Sequence, residues 1–207
     1  MIVVTACYGI ETRWMTRRPG VRLVRTPVGD RAPDALRSLS ESRIDILLST
    51  GFCGALQSQL RTGDLVLADR VEHLGEIIHI EPSLVARTQD AFNGHGLSAS
   101  CGRTVCVSQV TGREDKASLA QNGALSVDME SSPLARWAEE RDVPFLSLRV
   151  VLDEVDADVP FSAEDSLLRS LVSHPLASIR AARWAVRAGR SLGSALNVLM
   201  GALEEGR

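Results

Sequence analysis

The 207-residue chain is short of lysine, of aromatic rings and of any metal-ligand spacing. Lys116 is its only lysine among 23 Lys and Arg residues, a bias read as a property of the coding genome more than of function. Phe, Trp and Tyr make up only 4%, which leaves few platforms on which a flat ligand could stack. Cys7, Cys53, Cys101 and Cys106 show no CxxC spacing, and His73, His79, His95 and His174 form no HExxH or His/Cys cluster. A structural zinc site is therefore not expected, and neither a metal nor a cofactor is assigned. Reduced thiols in the cytoplasm are the default reading. No apolar run approaches the roughly 20 residues that a membrane-spanning helix needs. The opening MIVVTACYG lacks a basic segment ahead of its apolar stretch, so it reads as a first strand and not as a secretory signal. A basic excess is missing too. The balance of 23 basic against 26 acidic residues gives a net charge of -3, which disfavours nucleic-acid binding because that affinity rests on phosphate neutralisation.

What is present is a 44% hydrophobic chain able to bury a real core, patterned as alternating strands and helices. Residues 1–7, 21–27, 43–51 and 63–71 read as strands, the third ending in glycine. A helix capped by Asp30 is expected over 30–41, and another starting at Pro82 over 82–94. Strands near 97–108 precede a helix near 113–122, a short strand over 124–129, a helix over 130–141 and a long apolar strand over 143–153. A loop over 154–162 leads to a helical tail at about 163–205. This rhythm predicts an α/β fold, with a mixed central sheet flanked by helices in a three-layer αβα sandwich. No composition break divides the chain, so residues 1–207 are taken as one domain.

In such sheets ligands lie beyond the carboxyl ends of strands. The residues there are Glu11, the Gly51-Phe52-Cys53-Gly54 run, Asp128-Met129-Glu130, and the segment from Arg149 to Asp153 and Asp156. Each has an ordinary explanation. Glu130 suits the positive end of a helix dipole, the glycines suit a turn, and Glu11, Asp153 and Asp156 suit a solvated surface. Their ordered combination carries more weight than any one of them.

That combination resembles the purine nucleoside phosphorylase and nucleosidase superfamily. The resemblance rests on STGFCGAL with TGDLVLAD, then SVDMES, then LRVVLDEVD, and spans most of the chain. The methylthioadenosine/adenosylhomocysteine nucleosidases read approximately TGSAGGL…GDIVV, VEMEA and RAISDxAD at these places. VDMES, the short N-terminal half and the Arg-rich tail look closer to the hopanoid-associated branch, which is linked to removal of adenine from adenosylhopane.

The resemblance implies a nucleoside phosphorylase-like fold and cleavage of an N-glycosidic bond in a 5'-substituted adenosine. It implies Asp153 as the acid at the purine, with its pKa raised by an apolar surrounding. Glu130 and Met129 would hold the ribose, and Glu11 would activate the attacking water. Gly51 and Arg149 are carried with the substrate contacts, and Phe52 is the candidate ring for the base. Carboxylates on either side of the scissile bond follow the logic of inverting glycoside hydrolysis. Phe52 stands where the nucleosidases have a serine, and no arginine and hydroxyl set for phosphate is evident beyond Arg22, Arg25 and Thr26. Hydrolysis is therefore favoured over phosphorolysis. The alternatives are a methylthioadenosine/adenosylhomocysteine nucleosidase, a phosphate-dependent phosphorylase, or a nucleoside-binding protein without turnover. Superfamily members are commonly oligomers, so at least a dimer is expected.

Arg180, Arg183, Arg187 and Arg190 recur at steps of three and four, which on a helix makes one stripe close to Trp184. A solvated face is the ordinary reading. Docking on anionic lipid, as a peripheral membrane contact or as a module in its own right, is the sharper one.

Overall fold

The computed structural model describes residues 1–39, 42–157 and 175–205, with side chains from 182 to 204 in the last helix. Eight strands form one mixed sheet: β1 (Ile2–Ala6), β2 (Val21–Arg25), β3 (Ile46–Ala55), β4 (Leu65–His73), β5 (Glu76–His79), β6 (Ala99–Cys106), β7 (Ser126–Asp128) and β8 (Phe145–Asp153). Among the described residues four α-helices accompany them: α1 (Pro82–Gly94), α2 (Arg113–Leu119), α3 (Ser131–Glu139) and α4 (Pro175–Glu205).

β1 is a run of Ile, Val and Thr buried at every position and paired in parallel with β2 on one side and β3 on the other. A strand covered on both faces has no need of polar alternation, which is why it reads as a continuous apolar run. β3 is the hub. It pairs in parallel with β1 and β8, and its last two residues turn to an antiparallel partner, β7. β8 in turn meets β4 antiparallel, while β6 lies parallel to both β4 and β7. Strands β3, β7, β6, β4 and β8 thus close a ring, and β1 with β2 extends it on one edge. The α/β architecture with a mixed sheet flanked by helices is the one the sequence predicts.

Several boundaries differ for physical reasons. The helix expected over 30–41 is a 3-10 helix over Gly29–Leu39; Pro33 inside it lacks an N–H and crowds the preceding turn, which disfavours regular α geometry. Asp30 therefore lies inside the element and does not cap it. The strand expected to stop at Gly51 runs on to Ala55, so the glycine run is strand and not turn. β5 was not foreseen. It forms because Leu74 and Gly75 both adopt positive φ, a two-residue reversal that folds Glu76–His79 back on β4. Glu130 sits at the N-cap of α3, one residue ahead of the helix expected to contain it. Residues 158–174, which include most of the expected 154–162 loop and the start of the tail, lie outside the described residues.

α4 anchors the structure near the first strand. Ala188, Leu192, Ala195, Leu196, Leu199, Met200 and Leu203 are buried in the main core. Gly189 and Gly193 let Trp14 press against the helix, because a Cβ on either would come within 2.4 to 2.5 Å of the indole side chain. Asn197 fixes the same segment by donating to the Trp14 carbonyl (3.1 Å) and accepting from the Thr16 N–H (2.7 Å). The 3-10 turn Gly9–Thr12, which carries Glu11, is held in place by these contacts.

Among the arginines of the expected stripe, Arg183, Arg187 and Arg190 are exposed, as a solvated face requires; the Arg180 side chain lies outside the described residues. No helix among the described residues is long and apolar enough to cross a membrane.

Candidate active site

Glu11 is the first residue the fold converts from apparent surface to interior: it is 2% exposed. Its carboxylate accepts the Tyr8 N–H on one oxygen (2.8 Å) and the Phe52 N–H on the other (3.0 Å). Burial raises its pKa above the ordinary carboxylate value, while those two backbone donors and Arg149 oppose the shift. Gly51 makes this approach feasible. Its φ of 152° is one that side-chain-bearing residues avoid, and a Cβ there would stand 2.8 Å from the Glu11 carboxylate. Phe52 enters the site through its backbone N–H, and its half-buried ring packs against the main core.

Arg149 comes from β8, paired directly with Gly51. It is fully buried and donates to Asp128 (2.5 Å) and to the Ser49 hydroxyl (2.8 Å). Burial works against its charge, but Asp128, then Glu130 and Glu11, hold it protonated more firmly than a free guanidinium. Asp128 is saturated on its other oxygen by the Ser131 hydroxyl (2.7 Å) and N–H (3.3 Å). Glu130, half-buried, accepts the Gly29 N–H (3.3 Å) and has its pKa pushed up to about 7. Desolvation is the main cause, Asp128 and Glu11 add to it, and Arg149 opposes it. Met129, also half-buried, lies between Asp128 and Glu130 at the end of β7.

Asp153 lies at the end of β8, opposite Gly54 and 7% exposed. Sequence reasoning expects an acid kept protonated by apolar surroundings. Burial does raise its pKa, but the Lys116 ammonium bonded to its carboxylate opposes that rise. Lys116 is 1% exposed and also donates to the Glu154 carbonyl (3.0 Å). Gly54 leaves room for this pair, since a Cβ there would sit 3.2 Å from both the Asp153 carboxylate and the Lys116 chain.

The two groups are neighbours along one strand. Gly51 touches Glu11 and Gly54 touches Asp153, three residues further on, a rise of roughly 10 Å. Between them the buried Cys53 thiol, pushed up by burial, is within the fields of Arg149, Asp128 and Asp153 alike. The fold therefore brings Glu11, Glu130 and Arg149 together, with Met129 beside Glu130, and sets Asp153 at the far end of the same segment. Asp156 stays at the surface, paired with Arg113 (3.3 Å). Sequence reasoning placed Asp128 at a strand end without giving it a role, and it did not bring Lys116 to the site. Asp128 had a signal in the Asp-x-x-Ser spacing of a capping residue, and Lys116 had one in being the only lysine of the chain. Among the described residues no group of His, Cys, Asp and Glu could hold a metal ion. A surface cavity of about 450 Å³ between α1 and α4, lined by Arg18, Asp90, His95 and Asn197 among others, shares no residue with this site.

A mixed α/β sheet with carboxylates gathered beyond the ends of β1, β7 and β8 matches a nucleoside phosphorylase-like fold. The Phosphorylase superfamily profile matches residues 19–182, and the chain belongs to that superfamily. Its relatives include the 5'-methylthioadenosine/S-adenosylhomocysteine nucleosidase of Staphylococcus aureus (strain bovine RF122 / ET3-1), 24% identical over 155 residues, which are 65% of this chain and 68% of the relative. Among solved structures, the 5'-methylthioadenosine/S-adenosylhomocysteine nucleosidase of S. pneumoniae with a transition-state inhibitor superposes with a TM-score of 0.75 at 18% identity, covering 98% of this chain and 99% of the other. The futalosine hydrolase of Helicobacter pylori strain 26695 gives 0.75 at 15% identity over 97% of each chain.

Proposed function

We propose that this protein hydrolyses the N-glycosidic bond of a purine nucleoside, releasing adenine from a 5'-substituted adenosine. An adenosylhopane-like nucleoside is the first choice of substrate, and methylthioadenosine or adenosylhomocysteine the second. The observation that carries the reading is the placement of buried carboxylates at both ends of the Gly51–Gly54 segment, each with a raised pKa. Cleavage builds positive charge on the ribose and negative charge on the leaving base, so one end must accept a proton from water and the other must supply one to the purine.

Glu11 fits the first task. Two backbone N–H groups fix its orientation, and its raised pKa makes it a better base towards water than an exposed carboxylate. Glu130, with Met129 beside it, faces the same cluster and is suited to accept ribose hydroxyls. Asp153 stands at the base end, joined to Lys116, and this pair holds the proton the leaving purine needs.

Hydrolysis is preferred over phosphorolysis because the cations near Glu11 are already committed. Arg149 serves Asp128 and Ser49. Arg25 donates to the Tyr8 carbonyl (2.5 Å) and to the Thr12 hydroxyl (2.6 Å). A phosphate dianion would instead meet Glu11 and Glu130. The test is chromatography of free adenine released from these nucleosides with and without phosphate. Adenine release independent of phosphate is expected. Strict phosphate dependence would make the enzyme a phosphorylase, and tight adenosine binding with no release would make it a binding protein.

A further inference from the structure

We propose that the exposed arginine face of α4, with the segment that follows the Gly9–Thr12 turn, docks this protein on the surface of an anionic phospholipid bilayer. The proposal goes beyond the nucleosidase reading and does not rest on it.

From Pro175 to Ala202 the chain has four arginines and no Asp or Glu, although acidic residues outnumber basic ones by 26 to 23 in the whole sequence. With about 3.6 residues per turn, Arg183, Arg187 and Arg190 fall within an arc of about 60°. That arc is opposite the buried Leu192, Leu199 and Leu203, and all three arginines are exposed. One edge of the stripe is held by Gly63. A Cβ there would stand 3.3 Å from Arg187 Nε, and Ser191 donates to the Gly63 carbonyl (2.6 Å). At the other edge Trp14 presses on Gly189 and Gly193, with the Arg13 guanidinium 5.8 Å from its ring centre. Thr16 and Arg18, on either side of Arg17, both bond Asn197, about two turns beyond Arg190. Arg13 and Arg17 are exposed as well, and the basic face therefore runs for roughly 20 Å along the helix.

Neutralising partners are missing from this face. The ion pairs join Arg18 to Glu204 and Arg61 to Glu154, but they engage none of Arg13, Arg17, Arg183, Arg187 and Arg190 among the described residues. Elsewhere the surface interleaves both signs, as in Arg136–Glu76 and Arg141–Glu140.

Shape and chemistry select the occupant. The cavity between α1 and α4 includes none of the five arginines, so they form a row and not a pocket. A row suits many phosphates spread over a surface better than one bound anion. Guanidinium takes phosphate oxygens in pairs and gives up its water more readily than ammonium. Trp184 is half-buried and about 60° beyond Arg187 around the helix, an amphipathic ring of the kind that bilayer interfaces favour. Nucleic acid is a poorer match. The net charge of -3 places an acidic excess on the rest of the molecule, whereas a bilayer meets one face only.

The test floats the full chain with vesicles of phosphatidylcholine, alone or with one third phosphatidylserine. Wild type should rise with the phosphatidylserine vesicles, stay behind with phosphatidylcholine alone, and be released as salt goes from about 0.1 M to about 1 M. Each arginine near an anionic surface is worth about fivefold in partitioning. Arg183→Glu/Arg190→Glu should therefore weaken retention at least about 25-fold, and the neutral Arg183→Gln/Arg187→Gln/Arg190→Gln about 100-fold. Circular dichroism checks that each variant is folded; if the charge reversal is not, the neutral variant decides.

Equal retention on both vesicle types overturns the proposal, and so does wild-type retention of either folded variant. Binding of a single-stranded oligonucleotide without vesicle retention assigns the face to nucleic acid and overturns it. A change of oligomeric state in the variants, read by light scattering, shows that the arginines join copies of the chain and overturns it too. None of these readouts depends on adenine release, so failure of the nucleosidase reading is seen separately.

Discussion

The two ends of the site solve the same electrostatic problem in opposite ways. At the Glu11 end the buried cation is Arg149, which cannot titrate and is neutralised by its own carboxylate, Asp128. The carboxylates around it, Glu11 and Glu130, keep raised pKa values. At the Asp153 end the buried cation is Lys116, bonded to Asp153 itself. One end carries an arginine paired with Asp128, and the other a lysine bonded directly to the carboxylate that ends β8. The contrast teaches that a buried cation can be engaged by a carboxylate outside the expected set, as Arg149 is by Asp128, or by one of its expected members, as Lys116 is by Asp153.

The sharpest way to break the comparison is Asp153→Asn, which should leave the fold intact and cut adenine release by roughly 1,000-fold, within the usual range for an acid–base group. Full activity in that variant would show that the base end is scaffold as well. Next, Asp128→Ala strands the buried Arg149 charge and should cost about 3–5 kcal/mol of stability, read from denaturant unfolding. A loss below about 1 kcal/mol would mean that Arg149 has other adequate partners. Gly51→Ala forces a strained φ and a Cβ against the Glu11 carboxylate. It should cost roughly 1–3 kcal/mol and lower turnover while leaving adenine binding at the far end within about twofold.

Glu130 gives a pH signature. Its folded pKa of about 7 lies above the ordinary value of 4.5, so between those values the folded state holds more protons than the unfolded chain. Stability should therefore fall as pH rises from 4.5 towards 7, and Glu130→Gln should flatten that slope in unfolding measured at both ends of the range. The smallest effect is expected far from both ends. Arg183→Glu with Arg190→Glu, on the exposed stripe, should change stability by less than about 0.5 kcal/mol and leave adenine release unchanged. Retention of wild type but not of this variant on anionic vesicles would replace the solvated-face reading with lipid docking.

Much of the fold was legible because burial on both faces leaves a plain record. β1, β3 and β8 are apolar runs, and their placement follows from them. Elements that depend on a local exception were not. The Leu74–Gly75 reversal needs positive φ at a leucine, which no propensity favours, and Pro33 tightens a segment whose apolar spacing looks α-helical. Of the site, Glu11, Glu130, Arg149 and Asp153 were visible at strand ends. Lys116 was not, because it stands on α2, far along the chain from Asp153, and only the packing of α2 beside Gly54 brings the two together.

By itself the sequence determined the alternating α/β pattern and the strand-end carboxylates, because hydrophobic periodicity and local residue chemistry are written along the chain. The tertiary structure decided which carboxylate each cation would face. Arg149 was committed to Asp128 and Lys116 to Asp153 by the parallel pairing of β8 with β3 and by the seating of α2. Pairings of that kind depend on distances between residues remote in sequence and on the loss of water around them, and both exist only once the chain is folded.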